Sequence, residues 1–152
     1  MSRKWLILTT LTLMLTACDE CRGLDCRSGD SPPFATLRFS MIGDATGAQD
    51  FIAATDDFQV FELAAAEMRL PLAERTLFII GPIDRGNGEY PNNLNWNWHF
   101  PHDEWNLTDA ANVLCDGNAE IVEQAVDYWV DTVGQFCPSG ARVVSVRRIV
   151  FD

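Results

Sequence analysis

The sequence predicts an α+β fold: a single compact domain of mostly antiparallel sheet, packed with two main helices at about residues 57–69 and 118–133. Three observations lead to this prediction. Short runs that alternate apolar with polar or small residues are typical of half-buried strands, and two longer segments repeat their apolar residues with helical spacing. Turn-rich stretches separate these segments. A chain of 152 residues has room for one such domain.

The first half of the domain contains three predicted strands and one predicted helix. The strands are expected at residues 34–42, 51–54 and 76–80. The last of these is a continuous apolar run, which is typical of a central strand buried on both faces. Thr55, Asp56 and Asp57 supply capping residues for the first helix, and Pro71 ends it.

The second half begins with a strictly alternating segment, residues 95–100. The face that carries Trp96, Trp98 and Phe100 is expected to belong to the core. The opposite face is polar and carries Asn95, Asn97 and His99. A further strand is expected within 105–115, and Gly134 is expected to cap the second helix. A last strand is expected at 142–150.

Residues 1–17 have the features of a bacterial lipoprotein signal peptide. Arg3 and Lys4 precede an apolar stretch of twelve residues, which is well short of the roughly 20 residues that a spanning helix needs. The segment ends Leu15-Thr16-Ala17-Cys18, which resembles the lipobox. We therefore expect cleavage before Cys18, lipidation of Cys18, and a protein anchored by this lipid on the periplasmic or extracellular face of the cell envelope.

The composition changes near residue 33. Residues 18–33 are rich in turn-forming and charged residues, so this segment is expected to be a flexible spacer behind the lipidated cysteine. Residues 34–152 would then form the α+β domain.

The predicted mature chain is strongly acidic. Loss of Arg3 and Lys4 leaves nine arginines against 22 aspartates and glutamates, a formal charge of −13. Such a surface repels nucleic acid, so a nucleic-acid partner is not expected. The charge is compatible with a soluble tethered domain or with a site for a divalent metal.

Four cysteines remain beyond Cys18, namely Cys21, Cys26, Cys115 and Cys137. An even number in an oxidising compartment indicates two disulfides, with three connectivities available. The pairing of least sequence separation joins Cys21 to Cys26 and Cys115 to Cys137. An unbroken helix over 118–133 would be about 22 Å long. The second bridge therefore requires a shorter helix or flanks that fold back tightly.

Five short segments carry a family resemblance over residues 51–146. They are Phe51…Asp57, Phe78-Ile-Ile-Gly81, Tyr90-Pro-Asn…Trp98-His99-Phe100, Val113-Leu-Cys-Asp116 followed by Val122-Glu123, and Gly134…Cys137-Pro138. Together they resemble the N-terminal domain of the slime-mould calmodulin-binding protein, a family with secreted bacterial relatives. The resemblance implies fold and secretion. Calmodulin is not an expected partner, because it prefers basic amphipathic helices and the 118–133 segment has four acidic residues and no basic one.

The segment His99-Phe-Pro-His102-Asp103-Glu104 contains the only two histidines of the chain. Imidazole nitrogens and carboxylate oxygens are common ligands of zinc and similar ions. His99, His102 and Asp103 are therefore the candidate ligands of a divalent metal, the one cofactor that the sequence suggests. Alternatively, both histidines only donate hydrogen bonds to backbone carbonyls.

Asn95, Asn97 and Trp105 form a second candidate site, for a carbohydrate. Tryptophan rings stack on sugar rings, and amides bond to hydroxyls. The competing interpretation is that the tryptophans of this region belong to the core.

No nucleophile elbow or phosphate-binding glycine loop occurs in the chain. A binding or interaction module with an unidentified protein or glycan partner is therefore expected before an enzyme. A metal-binding protein or metal-dependent enzyme, and a carbohydrate-binding domain, remain the alternatives.

Overall fold

The computed structural model describes residues 34–88, 93 and 95–149. Cys18, Cys21, Cys26, the signal peptide and the spacer lie outside the described residues, so the expectations for them stay predictions. The strands are β1 Phe34–Met41, β2 Phe51–Thr55, β3 Phe78–Ile80, β4 Asp84–Arg85, β5 Trp98–His99, β6 Asn106–Thr108 and β7 Ala141–Ile149. The α-helical segments are α1 Phe58–Met68, α2 Ala119–Gln124 and α3 Val126–Tyr128.

The largest sheet has the antiparallel order β2-β1-β7. Its inner face carries Leu37, Phe39 and Val143, all fully buried. The register between β1 and β7 shifts between Arg38 and Phe39, where Arg38 pairs with Ser145 and Phe39 with Val143. Val144 is therefore an extra residue in β7, a β-bulge that reverses which residues face the core beyond it.

Helix α1 packs against the inner face of this sheet through Val60 and Ala64. Asp57 caps it, because its Oδ1 accepts hydrogen bonds from the backbone N–H groups of Gln59 and Val60 at 2.7 and 3.4 Å. Near the other end, the buried Glu67 carboxylate accepts from the backbone N–H groups of residues 76 and 77. This contact fixes the segment that leads into β3.

Two smaller antiparallel pairs complete the strands of the described chain, β3 with β6 and β4 with β5. The expectation that residues 76–80 form a central strand is wrong, because β3 pairs only with β6 among the described residues. The burial of β3 comes from side-chain packing and not from a strand on each side. Phe78 packs beside Cys115 and Cys137, whereas Ile79 belongs to the main core. A continuous apolar run reports burial but does not identify the element that provides it.

The second predicted helix is broken at Ala125, whose φ and ψ are −149° and 46°. Beyond the break, α3 continues into one π-helical turn, Trp129–Val133, which Gly134 ends with a left-handed φ of 76°. The break shortens the helix, so Cys115 and Cys137 come to a Cα–Cα distance of 5.2 Å and form a disulfide. The sequence allowed two ways in which this bridge could form, a shorter helix or tightly folded flanks, and the structure has the shorter helix.

The core is rich in aromatic rings. Trp98 and Phe136 are fully buried, with ring centroids 5.3 Å apart in an edge-on arrangement, and Phe51 and Phe100 pack around them. Trp96 is nearly buried beside Trp98. The alternation of residues 95–100 thus identified the core face correctly, and the α+β prediction is confirmed. None of the helices in the described ranges is long and apolar enough to cross a membrane.

Candidate functional site

Two connections that are distant in sequence meet at one edge of the domain. The first is the link Thr55-Asp56-Asp57 between β2 and α1, and the second is the turn 101–104 that follows β5. The turn is closed by a hydrogen bond from the Glu104 N–H to the Pro101 carbonyl at 3.3 Å. His102 and Asp103 lie at the centre of the turn, directly beside Asp56.

Asp103 fixes the two connections to each other. Its Oδ1 accepts a hydrogen bond from Thr55 Oγ1 at 2.7 Å and another from the Asp56 backbone N–H at 2.9 Å. Asp103 also has a φ of 58°, and no other non-glycine residue in the described chain has a positive φ. Aspartate tolerates this left-handed conformation better than most residues, but it remains a costly one that is often found at functional sites.

His102 lies between Asp103 and the start of β1. Its Nδ1 is 3.3 Å from Asp103 Oδ2, and its ring stacks on Phe34 with centroids 5.4 Å apart. About a third of each of the two polar side chains is exposed, so solvent reaches both. The ring contact and the carboxylate hold the imidazole at the site.

Asp56 completes a group of three. One ligand atom from each of Asp56, His102 and Asp103 lies within 4.8 Å of the other two. A tetrahedral ion with ligands at about 2.1 Å holds them roughly 3.4 Å apart, so a modest rotation of the exposed Asp56 carboxylate would draw the widest pair together. Two oxygens and one nitrogen form a donor set that is suited to zinc and similar ions.

The two carboxyl groups perturb each other's proton affinity. The hydrogen bond with Asp103, followed by partial desolvation and the Asp103 charge, raises the pKa of Asp56 above its usual value. Burial acts to raise the pKa of Asp103 as well, but the hydrogen bonds from Asp56 and Thr55 outweigh it, and the pKa of Asp103 is lowered. The pair therefore binds one proton or one cation more readily than separate carboxylates would.

The sequence named two of these three residues, His102 and Asp103, and grouped them with His99 instead of Asp56. His99 lies on β5, where its Nδ1 is 2.9 Å from the Gly86 carbonyl oxygen and its ring packs against Gly88. It is not part of the ligand group found among the described residues. The alternative interpretation, a histidine that bonds to a backbone carbonyl, describes His99. The sequence pattern around Asp56 indicates only a capping residue, although Asp57 alone provides the cap.

The residues proposed for carbohydrate binding are not brought together as an open platform. Trp105 is only 5% exposed, and its Nε1 donates to the Ala54 carbonyl at 2.9 Å, so its ring offers no face for stacking. Asn97 is engaged by Glu123, which accepts hydrogen bonds from both its backbone N–H and its side-chain amide. Asn95 is exposed. Trp105 is therefore a core residue, because its ring lies edge-on against Phe39 of β1 and is removed from water.

Gly81 allows the site's turn to approach the core closely. A Cβ at this position would lie 2.6 Å from Trp105 Cβ and 2.8 Å from Trp105 Cα. Gly81 also exchanges two backbone hydrogen bonds with Phe136, at 3.2 and 2.8 Å. Only glycine permits both contacts, so this residue ties the 101–105 segment to the disulfide-bonded region.

Comparison with known proteins gives one result. No curated protein and no solved structure matches the chain. The family model described as the BP-74 N-terminal domain matches residues 35–149, which is most of the chain and the same domain family that the five sequence segments resemble. The chain belongs to this N-terminal domain family.

Proposed function

We propose that this chain is a lipid-anchored binding protein of the bacterial cell envelope, and that its domain binds a divalent metal ion through Asp56, His102 and Asp103. The anchor rests on the sequence of residues 1–18, and the metal site rests on one geometric observation. That observation is the convergence of three ligand atoms within 4.8 Å from two loops that are far apart in the chain.

The electrostatics of the cluster favour a cation. The carboxyl groups of Asp56 and Asp103 lie close together, and an ionised pair repels unless a proton or a metal ion neutralises it. A divalent ion satisfies both carboxylates at once and takes the imidazole as a third ligand. The remaining coordination positions would be open to water or to a group of a partner molecule, which is how a metal ion can serve binding.

Part of the ligand geometry exists before metal binding. Thr55 and the Asp56 backbone N–H hold one oxygen of Asp103, which leaves its other oxygen directed toward His102. Hydrogen bonds of this kind orient ligands in metal sites and increase affinity. Asp56, which is exposed, is the ligand that would move.

The metal site is tested by titrating zinc into the metal-free protein and measuring the heat of binding and the melting temperature. We expect one saturable site per chain that stabilises the fold, with the gain lost on chelation. His102→Ala and Asp56→Asn should each weaken binding by about tenfold or more. His99→Ala is the matched control, since it removes the other histidine and should leave the affinity unchanged.

Two outcomes would remove the metal site from the proposal. One is the absence of saturable zinc binding, and the other is an equal loss of affinity in His99→Ala and His102→Ala. Asp56→Asn guards against a false result from misfolding, because Asp56 is exposed and its replacement leaves the Phe34–His102 contact in place.

The anchor is tested separately by labelling cells with a palmitate analogue. Cys18→Ser should abolish labelling and leave the uncleaved precursor, because the lipid is attached to this cysteine before cleavage. Cys21→Ser, three residues away, is the control and should be labelled and processed normally. Labelling of the Cys18→Ser protein would show that another residue carries the lipid and would refute the assignment.

A further inference from the structure

The outer face of the β2-β1-β7 sheet carries a groove that is independent of the carboxylate cluster. Its volume is about 220 Å³, and it is lined by Thr36, Arg38, Ile52, Ser145 and Arg147. This volume is below the ~300–1,000 Å³ of pockets that enclose a whole drug-sized ligand, so it suits a single small chemical group. The lining combines two guanidinium groups with two hydroxyls.

The strand register explains how these side chains come together. Arg38 pairs with Ser145 on β7 and with Ile52 on β2, while Thr36 pairs with Arg147. Directly paired side chains lie about 4.5–5.5 Å apart, and diagonal pairs remain within reach of long side chains. The two arginines are therefore diagonal neighbours on one face.

The bulge at Val144 is what creates this grouping. Without the extra residue, Ser145 and Arg147 would continue the inward alternation of Ala141 and Val143 and would point into the core. With it, Val146 turns inward and packs against the core, and Ser145 and Arg147 turn outward beside Arg38. Bulges commonly redirect side chains at binding sites in this way.

The described residues compensate the charge of the groove only in part. Among them, Arg38 makes one ion pair, with its Nε 3.6 Å from Asp50 Oδ2, and about half of its side chain is exposed. The Arg147 side chain makes no hydrogen bond or ion pair to any residue that the structure describes. By contrast, Arg75 and Arg142 bond to backbone carbonyls, and Arg85 bonds to carboxylates. Two guanidinium groups with one carboxylate leave a local positive charge in an acidic protein.

We propose that this groove binds a phosphate group, with the guanidinium groups of Arg38 and Arg147 on its oxygens and the hydroxyls of Thr36 and Ser145 as further donors. Guanidinium groups bind phosphate oxygens through paired charge-assisted hydrogen bonds, and hydroxyls complete such sites. The acidity of the rest of the chain does not prevent this. At physiological ionic strength, charges more than ~8 Å away across solvent are largely screened.

The test uses the full chain in a nonionic detergent, titrated with inorganic phosphate by calorimetry. We expect saturable binding that weakens by about tenfold or more in both Arg38→Gln and Arg147→Gln. Arg148→Gln is the matched control, because Arg148 is adjacent and exposed but pairs with the inward-facing Ala35. Its affinity should stay within about twofold of the original.

Absence of saturable phosphate binding would overturn the proposal, as would an equal loss in the Arg148→Gln control. Two groove variants are used because a folding defect in one of them would lower the melting temperature of that variant and leave the other variant unaffected. Nonionic micelles doped with phosphatidic acid then identify the source of the phosphate. Arg147-dependent binding to them indicates a lipid headgroup, whereas phosphate binding without it indicates a soluble phosphate ester.

Discussion

The three-stranded sheet and the segment of residues 112–139 are ordered by different means. In the sheet, β1 pairs with β2 in an unbroken ladder and with β7 in a ladder that has one bulge, and the alternation along β1 places Leu37 and Phe39 in the core. The 112–139 segment has short, interrupted helices instead. Its ends are joined by the Cys115–Cys137 disulfide and by Asp116, whose carboxylate binds Ser139.

This contrast indicates where each region obtains its stability. The sheet needs no covalent link, because backbone hydrogen bonds and apolar burial form together as the strands pair. The 112–139 segment leaves Val113 and Leu114 largely exposed, and its helices are short. Its conformation therefore depends on a small number of specific contacts, and single substitutions there should have local effects.

The largest expected effect is that of removing the disulfide. Replacing Cys115 and Cys137 together by serine should lower the free energy of unfolding by about 3 kcal/mol, because a loop of 22 residues is no longer constrained in the unfolded chain. Urea denaturation measures this. Hydrogen exchange should accelerate more in 112–139 than in β1 and β2, and uniform acceleration over both regions would contradict the comparison.

Gly81→Ala should have the second largest effect. It should lower the free energy of unfolding by about 2–3 kcal/mol, because the new methyl group would lie 2.6 Å from Trp105 Cβ. Either β3 or the 101–105 turn must shift. The effect is measured by thermal unfolding together with the fluorescence of the tryptophans. Gly86→Ala serves as the control for adding a methyl group to a glycine in open space, although its φ of 81° brings a smaller strain of its own. A Gly81 variant as stable as the original would show that the contact is easily relaxed.

Replacing Asp116 should have a smaller effect on the free energy of unfolding, and this effect should depend on pH. Burial acts to raise the pKa of Asp116, but the hydrogen bonds from Ser139 and the Gly117 N–H outweigh it and lower the pKa below its usual value. A lowered folded-state pKa stabilises the fold above the unfolded value of 3.8, and this contribution is lost as pH falls further.

Asp116→Asn should therefore cost about 1–2 kcal/mol at pH 7, and the difference from the original protein should shrink below about pH 4. Parallel urea titrations at pH 7 and pH 3 measure it. Asp109→Asn is the control, since Asp109 is exposed. A difference that stays constant with pH would mean that the charge of Asp116 is not what stabilises this segment.

The smallest expected effect is at Arg85, which connects β4 to the helical segment. Its guanidinium binds Asp127 at 2.8 Å and Asp131 at 2.6 Å, but all three side chains are largely exposed. Arg85→Gln should therefore change the free energy of unfolding by less than about 1 kcal/mol at physiological salt. Denaturation at low and high salt provides the measurement. A loss as large as that from the disulfide would show that this surface contact organises the segment.

The candidate site was only partly predictable for a specific reason. His102 and Asp103 were identified because they are adjacent in an informative local pattern. Asp56 precedes His102 by more than forty positions, and no periodicity connects a strand-to-helix link with a later turn. His99 was grouped with His102 by closeness in sequence, but Pro101 and the turn separate their environments.

The fold shows the same division between local and distant information. Alternation and helical spacing were sufficient for β1, β2, α1, β7 and the aromatic core face, because these patterns reflect one-sided burial. The break at Ala125 left no signal, since alanine is a good helix former. Trp105 was ambiguous because an aromatic residue is equally compatible with a core and with a binding surface.

The amino-acid pattern alone was enough for the α+β class, the core face of residues 95–100, the family, and the prediction of a lipid anchor. Three features emerged only from the folded chain: which carboxylate joins His102, how the second helix bends to allow the disulfide, and which arginines share a face of the sheet. The physical reason is that periodic patterns record burial within one element. Contacts between elements depend on strand register, on bulges and on close approaches such as that of Gly81 to Trp105. These features are defined only in the packed chain.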